Sequence, residues 1–310
     1  MLSALTIALT ACGLTLSGLP EDGVGDDAST GTDASAANSD APTTADDAQT
    51  AGDDASLDGT TTTTGDAGSD APAVAIMPGD AGSPTLYVVS SRFWTVNPIT
   101  NTWANATALP ANGCPALEDL AVDAYGNVYG LGGGLFHVDP AGPTCTQIGT
   151  NSNLPIAATF APRGTLDPSV EVLVGYMGSG DYVRVDTTTA NITVVGASAL
   201  GGYNIGDLTN VGLKGYVAMT GNTCGGNDCL WEVNLATGAK VGASLGNYPT
   251  AQPITSLAHW GGKIFAYGTS DTALVSVPAN PAGALVLAGP SGYTNVTYKG
   301  AASRPNAPTN

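Results

Sequence analysis

Residues 117–149, LEDLAVDAYGNVYGLGGGLFHVDPAGPTCTQIG, contain the pattern that decides the fold. Apolar side chains alternate with small or polar ones from residue 120 to 124, which is the period of a β-strand. Turns rich in Gly, Asn and Pro at 125–127, 132–134 and 139–142 divide the stretch into four short strands. A single sheet of this kind leaves one apolar face and two edges uncovered, so it needs neighbours.

The turn after the third strand recurs along the chain, which indicates a repeat. It is found as Val96-Asn97-Pro98, Val138-Asp139-Pro140, Val185-Asp186-Thr187, Val233-Asn234-Leu235 and Val277-Pro278-Ala279. The central positions, 97, 139, 186, 234 and 278, are 42 to 48 residues apart. A period of about 40–50 residues with four strands in each unit is typical of a β-propeller.

Counting the strands gives the number of blades. Three strands come first, at residues 85–90, 92–96 and 102–107; four complete units follow, at 117–149, 155–196, 204–245 and 254–288; one strand remains, at 295–301. Three strands at one end and one at the other complete a blade, so the sequence predicts an all-β, five-bladed propeller closed by its C-terminal strand. A β-sandwich also uses short strands and regular turns, but the long repeat favours the propeller.

The segment before the propeller has a different composition. Residues 14–83 contain no aromatic and no basic side chain, and residues 21–80 carry 14 of the 26 acidic side chains of a chain whose net charge is −18. Such a segment buries too little apolar surface to offset its chain entropy, and its like charges repel each other. We therefore predict a disordered acidic stalk over residues 13–83 and a globular domain over 84–310. A calcium-binding tract is the alternative, but the Asp spacing matches no calcium loop.

Residues 1–13, MLSALTIALTACG, form a short apolar run that contains Leu9-Thr10-Ala11-Cys12. This resembles the lipobox of bacterial lipoproteins, whose signal peptides are cut before a Cys that is then acylated. The resemblance implies a signal segment over residues 1–12, acylation of Cys12 and a lipid anchor as the sole membrane attachment. No Lys or Arg precedes the run, which departs from the pattern and points to a start further upstream. In that family, an Asp directly after the Cys is associated with inner-membrane retention. The residue after Cys12 is Gly13, so the resemblance implies the outer membrane or cell surface.

The remaining cysteines suit an exported protein. Cys114, Cys145, Cys224 and Cys229 are even in number, and we predict disulfides between Cys114 and Cys145 and between Cys224 and Cys229. A zinc site is the alternative, but His137 and His259, the two histidines, are not spaced as partners of these cysteines. We predict no metal and no cofactor.

Four acidic side chains lie on or beside the predicted inner strands: Glu118, Asp119, Asp123 and Asp207. Paired carboxylates at a propeller axis would suit a glycan-active hydrolase or lyase. The same strands in the units after 155 and 254 offer Ala, Thr and Ser, which favours a structural role for the acids. Neither a phosphate-binding loop nor a nucleophile elbow is present, and the acidic chain would repel nucleic acid.

Three tyrosines occupy successive connections from an outer strand to the next inner strand: Tyr203, Tyr248 and Tyr293. Strand alternation places these connections on the same face as Asp181, Asn227 and Asp228. Aromatic rings beside Asn and Asp suit recognition of sugar or peptide. The alternative is that the rings fill gaps between blades.

These patterns lead to three hypotheses of function. The first is a surface-anchored binding module for a polysaccharide, an envelope component or a partner protein. The second is the glycan-active enzyme, and the third is a structural spacer. The sequence does not choose the ligand.

Overall fold

A computed structural model describes residues 82–201, 204–220, 224, 227–249, 253–268 and 272–309. The predicted signal segment, the acylation site Cys12 and nearly all of the predicted stalk lie outside these residues, as does Tyr203. The expectations about them therefore remain predictions.

Five four-stranded antiparallel sheets form the described chain, which confirms the five-bladed propeller. From inner to outer strand, blade 1 contains β20 (Gly300–Ala302), β1 (Leu86–Val89), β2 (Arg92–Asn97) and β3 (Thr102–Ala108). Blade 2 contains β4 (Asp119–Val122), β5 (Val128–Leu131), β6 (Leu135–Asp139) and β7 (Thr144–Gly149), and blade 3 contains β8 (Ala157–Ala161), β9 (Val172–Tyr176), β10 (Tyr182–Val185) and β11 (Ile192–Gly196). Blade 4 contains β12 (Asn204–Val211), β13 (Lys214–Thr220), β14 (Asp228–Val233) and β15 (Lys240–Asn247), and blade 5 contains β16 (Ile254–Trp260), β17 (Lys263–Gly268), β18 (Thr272–Val277) and β19 (Asn280–Ala288).

The repeated turn has a common chemical cause in four blades. The side-chain oxygens of Asn97, Asp139, Asp186 and Asn234 each accept the backbone N–H two residues further on, at 2.7–2.9 Å. Such a side-chain bond stabilises a tight turn locally. The recurrence in the sequence therefore marks the hairpin between the third and fourth strands of each of these blades.

The C-terminal strand closes the ring, as predicted. Strand β20 pairs antiparallel with β1, with Val88 opposite Ala301. The strand begins at Gly300, however, and not at residue 295 as the sequence suggested. Asn295 adopts a φ of 55°, which interrupts an extended run, and the following residues belong to the connection from β19.

Apolar side chains fill each of the five junctions between blades. Representative buried pairs, going round the ring from the junction of blades 1 and 2, are Phe93 with Leu120, Leu131 with Phe160, Tyr176 with Leu208, Leu230 with Leu257, and Phe265 with Val88. Each blade thus covers the apolar face that its neighbour leaves open, which supplies the neighbours that a lone sheet lacks.

Two faces follow from the alternation of strand direction. Loops between second and third strands, and connections from an outer strand to the next inner strand, lie on one face, here called the connection face. Turns between first and second strands and between third and fourth strands lie on the opposite, hairpin face.

The C-terminal segment, residues 303–309, contacts the hairpin-face ends of the inner strands. The backbone N–H of His259 donates to Ser303 Oγ at 3.0 Å, and Gly262 N–H donates to the Pro308 carbonyl at 3.1 Å. Ala307 is buried. The segment therefore continues the closure made by β20 and ties it to blade 5.

Both predicted disulfides are present. Cys114 and Cys145 join the connection that enters blade 2 to the outer strand of that blade, and Cys224 and Cys229 close the loop before β14. Structural disulfides are typical of proteins that fold in an oxidising compartment.

Candidate functional site

A cleft opens on the connection face where the ring closes between blades 5 and 1. It encloses about 350 Å³. Its walls are Ser90, Ser91, Arg92, Trp94, Tyr293, Thr294, Asn295, Val296, Thr297 and Lys299. We call it the closure cleft, since one wall is the loop between β1 and β2 and the other is the connection from β19 to β20.

The aromatic wall of the closure cleft is held from behind. Trp94 is 2% exposed and donates its Nε1–H to Ser90 Oγ at 3.3 Å. Its ring meets Tyr293 edge-on, with 4.7 Å between ring centroids. Arg92 lies over the Tyr293 ring, 5.0 Å from the centroid, and donates from Nη1 to the Ala106 carbonyl at 2.8 Å. Tyr293 is thereby fixed in position while part of it remains exposed.

Two of the eight basic residues of the chain line this cleft, although the chain as a whole is acidic. Lys299 forms an ion pair with Glu118 at 2.7 Å, whereas Arg92 makes no ion pair with any described residue. Hydroxyl groups of Ser91, Thr294 and Thr297 complete a polar lining. The cleft therefore offers a cation, hydroxyl groups and an aromatic ring together, and it can hold a polar ligand by hydrogen bonds.

The three tyrosines that the sequence singled out have different surroundings. Tyr293 lies in the closure cleft. Tyr248 departs from the expected open arc of rings: it is 1% exposed and packs with Leu257 and Leu274 between blades 4 and 5. Its ring is buried because the turn after β15 folds back, with Tyr248 N–H donating to the Asp228 carbonyl at 2.9 Å. Tyr203 lies outside the described residues.

The polar residues predicted on the connection face do not gather around Tyr293. Asp181 accepts the Ser198 N–H at 2.6 Å and the Ser179 hydroxyl at 2.8 Å, which ties two loops of blade 3 together and lowers the pKa of its carboxyl. Asp228 is buried and accepts the N–H of Ile254. Asn227 is exposed in the loop before β14. The structure thus places them in blades 3 and 4, away from the closure cleft.

Two of the four channel carboxylates are fully enclosed. Asp119 accepts the Leu120 and Ala158 N–H groups, each at 2.7 Å, and Asp207 accepts those of Leu208 at 2.6 Å and Leu257 at 2.5 Å. Both side chains are 0% exposed. Each carboxylate therefore joins its own inner strand to the next one, and neither is open to a substrate.

The other two carboxylates lie outside the channel. Glu118 is exposed and pairs with Lys299 at the closure cleft. Asp123 accepts the backbone and side-chain N–H groups of Asn127 at 2.8 and 2.7 Å, which fixes the turn between β4 and β5. The four acids thus do not form a common site.

Sequence reasoning missed Trp94, Arg92 and Lys299. Trp94 lies in the strand before the repeated turn, so the sequence pattern predicts a core residue, and Trp94 is indeed buried. Because the chain has few basic residues, Arg92 and Lys299 could have been singled out as candidate site residues. Their proximity, however, depends on the pairing of β20 with β1, which brings both positions to one cleft.

Within the described residues, no group of three or more His, Cys, Asp or Glu side chains is placed to hold a metal ion. The same part of the chain contains no helix of a length and hydropathy that could cross a membrane.

The sheets and their order define the class of protein: a five-bladed β-propeller closed by its C-terminal strand. No protein-family model matches the sequence, and no curated protein sequence matches it either. Among solved structures, TolB from Acinetobacter baumannii is similar over 70% of this chain and 55% of TolB, with 13% identity and a TM-score of 0.39.

PorZ, a bacterial surface component of the type-IX secretion system of Porphyromonas gingivalis, is similar over 56% of this chain and 22% of PorZ, with 17% identity and a TM-score of 0.29. The chain thus spans about half the length of TolB and about a fifth of PorZ. At these scores we draw no conclusion about function from either likeness.

Proposed function

We propose that this protein is an extracytoplasmic binding module that recognises a polysaccharide through the closure cleft. The observation that carries the proposal is the fixed, partly exposed Tyr293 ring among hydroxyl, amide and cationic groups. Sugar rings present both flat C–H surfaces and hydroxyl groups, so they are matched by an aromatic ring with hydrogen-bonding neighbours. An envelope component or partner protein remains the alternative ligand.

The charge of the cleft suggests which polysaccharides to test first. Arg92 lines the cleft and has no acidic partner among the described residues, and Lys299 is 37% exposed at its side chain despite the ion pair with Glu118. Carboxylated or sulfated sugars would pair with these cations, whereas neutral sugars would use the hydroxyl groups alone.

Removing the ring of Tyr293 is expected to weaken glycan binding without unfolding the protein. Tyr293→Ala deletes the contact surface of the cleft, and we expect at least about a fivefold loss of affinity, equivalent to about 1 kcal/mol. The measurement is a glycan array followed by titration of the best glycan into the soluble chain beginning at Gly13.

Two control variants separate binding from folding. Tyr125→Ala removes a ring that is 56% exposed on the hairpin face, and it should change neither affinity nor melting temperature. Tyr248→Ala removes a buried ring and should lower the free energy of unfolding by about 3–5 kcal/mol. If Tyr293→Ala leaves glycan affinity unchanged, or if no glycan binds, the proposal is wrong and a protein partner or a spacer role takes its place.

We further propose that Cys12 is acylated and anchors the propeller to the envelope through the acidic stalk. The lipobox-like residues and the two disulfides support this address. Cys12→Ser is expected to release the protein from the membrane fraction, since acyl chains would supply its anchorage. Mass spectrometry of native envelope material checks the prediction, and an N-terminus with Met1 intact would contradict it.

A further inference from the structure

A second cleft lies on the hairpin face between blades 2 and 3, on the opposite side of the ring from the closure cleft. It encloses about 320 Å³. Its walls are Ala124, Tyr125, Pro162, Arg163, Ser169, Val170, Glu171 and Asn306. We call it the hairpin cleft. Its volume is at the lower end of the range for small-molecule sites, about 300–1,000 Å³.

Three segments that are distant in sequence build the hairpin cleft. Ala124, in the turn after β4, donates its N–H to Glu171 Oε2 at 2.7 Å, which joins blades 2 and 3. The long loop before β9 is ordered by Asp167, which accepts the N–H groups of Ser169 and Val170 at 2.8 and 3.1 Å. Asn306 is exposed between two buried neighbours of the C-terminal segment and forms the third wall.

Opposite charges line this cleft, and the described residues form no ion pair between them. Arg163 is exposed and makes neither a hydrogen bond nor an ion pair with any described residue. Glu171 uses Oε2 for the Ala124 N–H, and its Oε1 has no hydrogen-bond partner in the described part of the chain. The neighbouring Asp123 is already occupied by Asn127.

An apolar surface adjoins the two charges. Tyr125 and Val170 are both 56% exposed, and both belong to the cleft wall with Pro162. Large side chains in such positions lose contact with water when a ligand covers them, which favours a ligand with an apolar part.

We propose that the hairpin cleft binds a short zwitterionic peptide or a free amino acid. The ligand carboxylate pairs with the Arg163 guanidinium, and the ligand ammonium donates to Glu171. The ligand side chain covers Tyr125 and Val170. Both ionic contacts would be charge-assisted hydrogen bonds.

The two charges also exclude other small ligands. A phosphate dianion would be repelled by Glu171 and the adjacent Asp123, and a polyamine would be repelled by Arg163. A zwitterion can pair with Arg163 and with Glu171 at the same time.

Burial raises the pKa of Glu171 to about 7, with Asp123 adding to the rise and Arg163 opposing it. Arg304, which lies against the same turn at Gly126, is the other cation beside this wall. A protonated Glu171 cannot pair with an ammonium group, so affinity is expected to increase about 25-fold as pH rises from about 5.5 to about 7.5.

The proposal is tested by calorimetric titration of the full chain, carrying Cys12→Ser to keep it soluble. The probes are the twenty free amino acids and a set of dipeptides, beginning with alanyl-alanine. For each one that binds, N-acetyl and C-amide forms are compared with the parent. We expect each modification to reduce affinity about 10- to 100-fold, because each removes one charge-assisted contact.

Two variants assign the contacts to residues. Glu171→Gln keeps an oxygen for the Ala124 N–H. It should weaken binding of the parent ligand, so that the parent and its N-acetyl form bind this variant with equal affinity. Arg163→Gln should likewise weaken binding of the parent ligand, so that the parent and its C-amide form bind that variant with equal affinity. Lys263→Gln, an exposed basic residue on a blade 5 hairpin, is the matched control and should change nothing. Melting curves should be unaltered in Arg163→Gln and Lys263→Gln, and Glu171→Gln should melt no lower than the wild type, because it removes a carboxyl whose ionised form is disfavoured by burial.

Several results would overturn the proposal. One is that no probe binds at 10 mM; another is that acetylated and amidated forms bind as tightly as the parent; a third is that phosphate or spermidine binds in place of the zwitterions. The glycan experiment tests the closure cleft separately. A negative result at one cleft therefore leaves the proposal for the other cleft unaffected.

Discussion

A chain that ends at Lys299 is expected to lose its cooperative thermal transition or to aggregate. The deletion removes β20, which supplies the inner strand of blade 1 and pairs with β1. It leaves the edge of β1 open, and an open edge is a template for pairing with another chain. Ala301 and Ala302 are buried in the cores on either side of blade 1, so both junctions lose contacts. The loss should approach the whole stability of a domain, about 5–15 kcal/mol.

A point substitution tests the same closure without deleting the strand. A Cβ at Gly300 would lie 2.5 Å from the Cα of Asp119 and 2.9 Å from the Leu120 nitrogen, so backbone must shift to admit it. Gly300→Ala is expected to lower the free energy of unfolding by about 1–3 kcal/mol. Gly142→Ala is the matched control, because a Cβ there meets nothing within 4 Å.

A shorter deletion separates the strand from the segment after it. Removing residues 305–310 keeps β20 but loses the Gly262 hydrogen bond to Pro308 and the buried Ala307. We expect a cooperative transition at reduced temperature, with a loss of about 1–3 kcal/mol. Calorimetry measures all of these variants. A chain ending at Lys299 that melts like the wild type would show that β20 does not close the ring.

Much of this architecture could be predicted because its causes are local. In four blades the turn between the third and fourth strands repeats an Asn or Asp whose side chain bonds two residues ahead, so the turn recurs visibly in the sequence. Strand counting then gave five blades and the closing strand. The start of β20 was misplaced because residues 295–299 alternate like a strand, although Asn295 turns the chain.

The sites were harder to predict because their causes are distant in sequence. Tyr248 and Tyr293 occupy similar positions after an outer strand, yet the Tyr248 ring packs between blades 4 and 5 whereas Tyr293 forms a cleft wall with Trp94. The hairpin cleft depends on Asn306, more than a hundred residues from Glu171. Periodicity shows which strands face a core, but it does not show which connections meet.

Replacing Asp207 by Ala is expected to destabilise the propeller by about 3–5 kcal/mol. The Asp207 carboxylate accepts N–H groups from two inner strands: Leu208 in blade 4 and Leu257 in blade 5. Inner-strand N–H groups that face the channel have no further strand to pair with. Asp207→Ala leaves two of them buried without an acceptor. Asp207→Asn keeps one acceptor oxygen and should cost less, about 1–3 kcal/mol.

The pair of buried acids also makes stability depend on pH. Burial raises the pKa of Asp207 well above the ordinary Asp range, the nearby Asp119 raises it further, and the N–H donors oppose the rise. Burial raises the pKa of Asp119 as well. A carboxyl with a raised pKa holds its proton more tightly in the folded chain. The free energy of unfolding therefore falls as pH increases from about 4 through the folded-state pKa.

Two other groups also make stability depend on pH. Burial lowers the pKa of His259 to about 4, so its contribution to the free energy of unfolding grows as pH rises from 4 to 6.5 and masks the acids there. Glu171, with its pKa raised to about 7, acts in the same direction as the acids. Comparing Asp207→Asn with the wild type from pH about 4 to about 8.5 isolates the acids, because His259 and Glu171 are common to both proteins.

As pH rises across this window, we expect the stability of the wild type to fall relative to that of Asp207→Asn, because the variant lacks one of the two buried acids. Chemical denaturation at each pH gives the free energies directly. Asp139→Asn is the control: this exposed turn position is Asn in blades 1 and 4, so neither stability nor its slope with pH should change. Equal slopes in the wild type and Asp207→Asn would mean that both carboxylates are ionised throughout, held by their N–H donors alone.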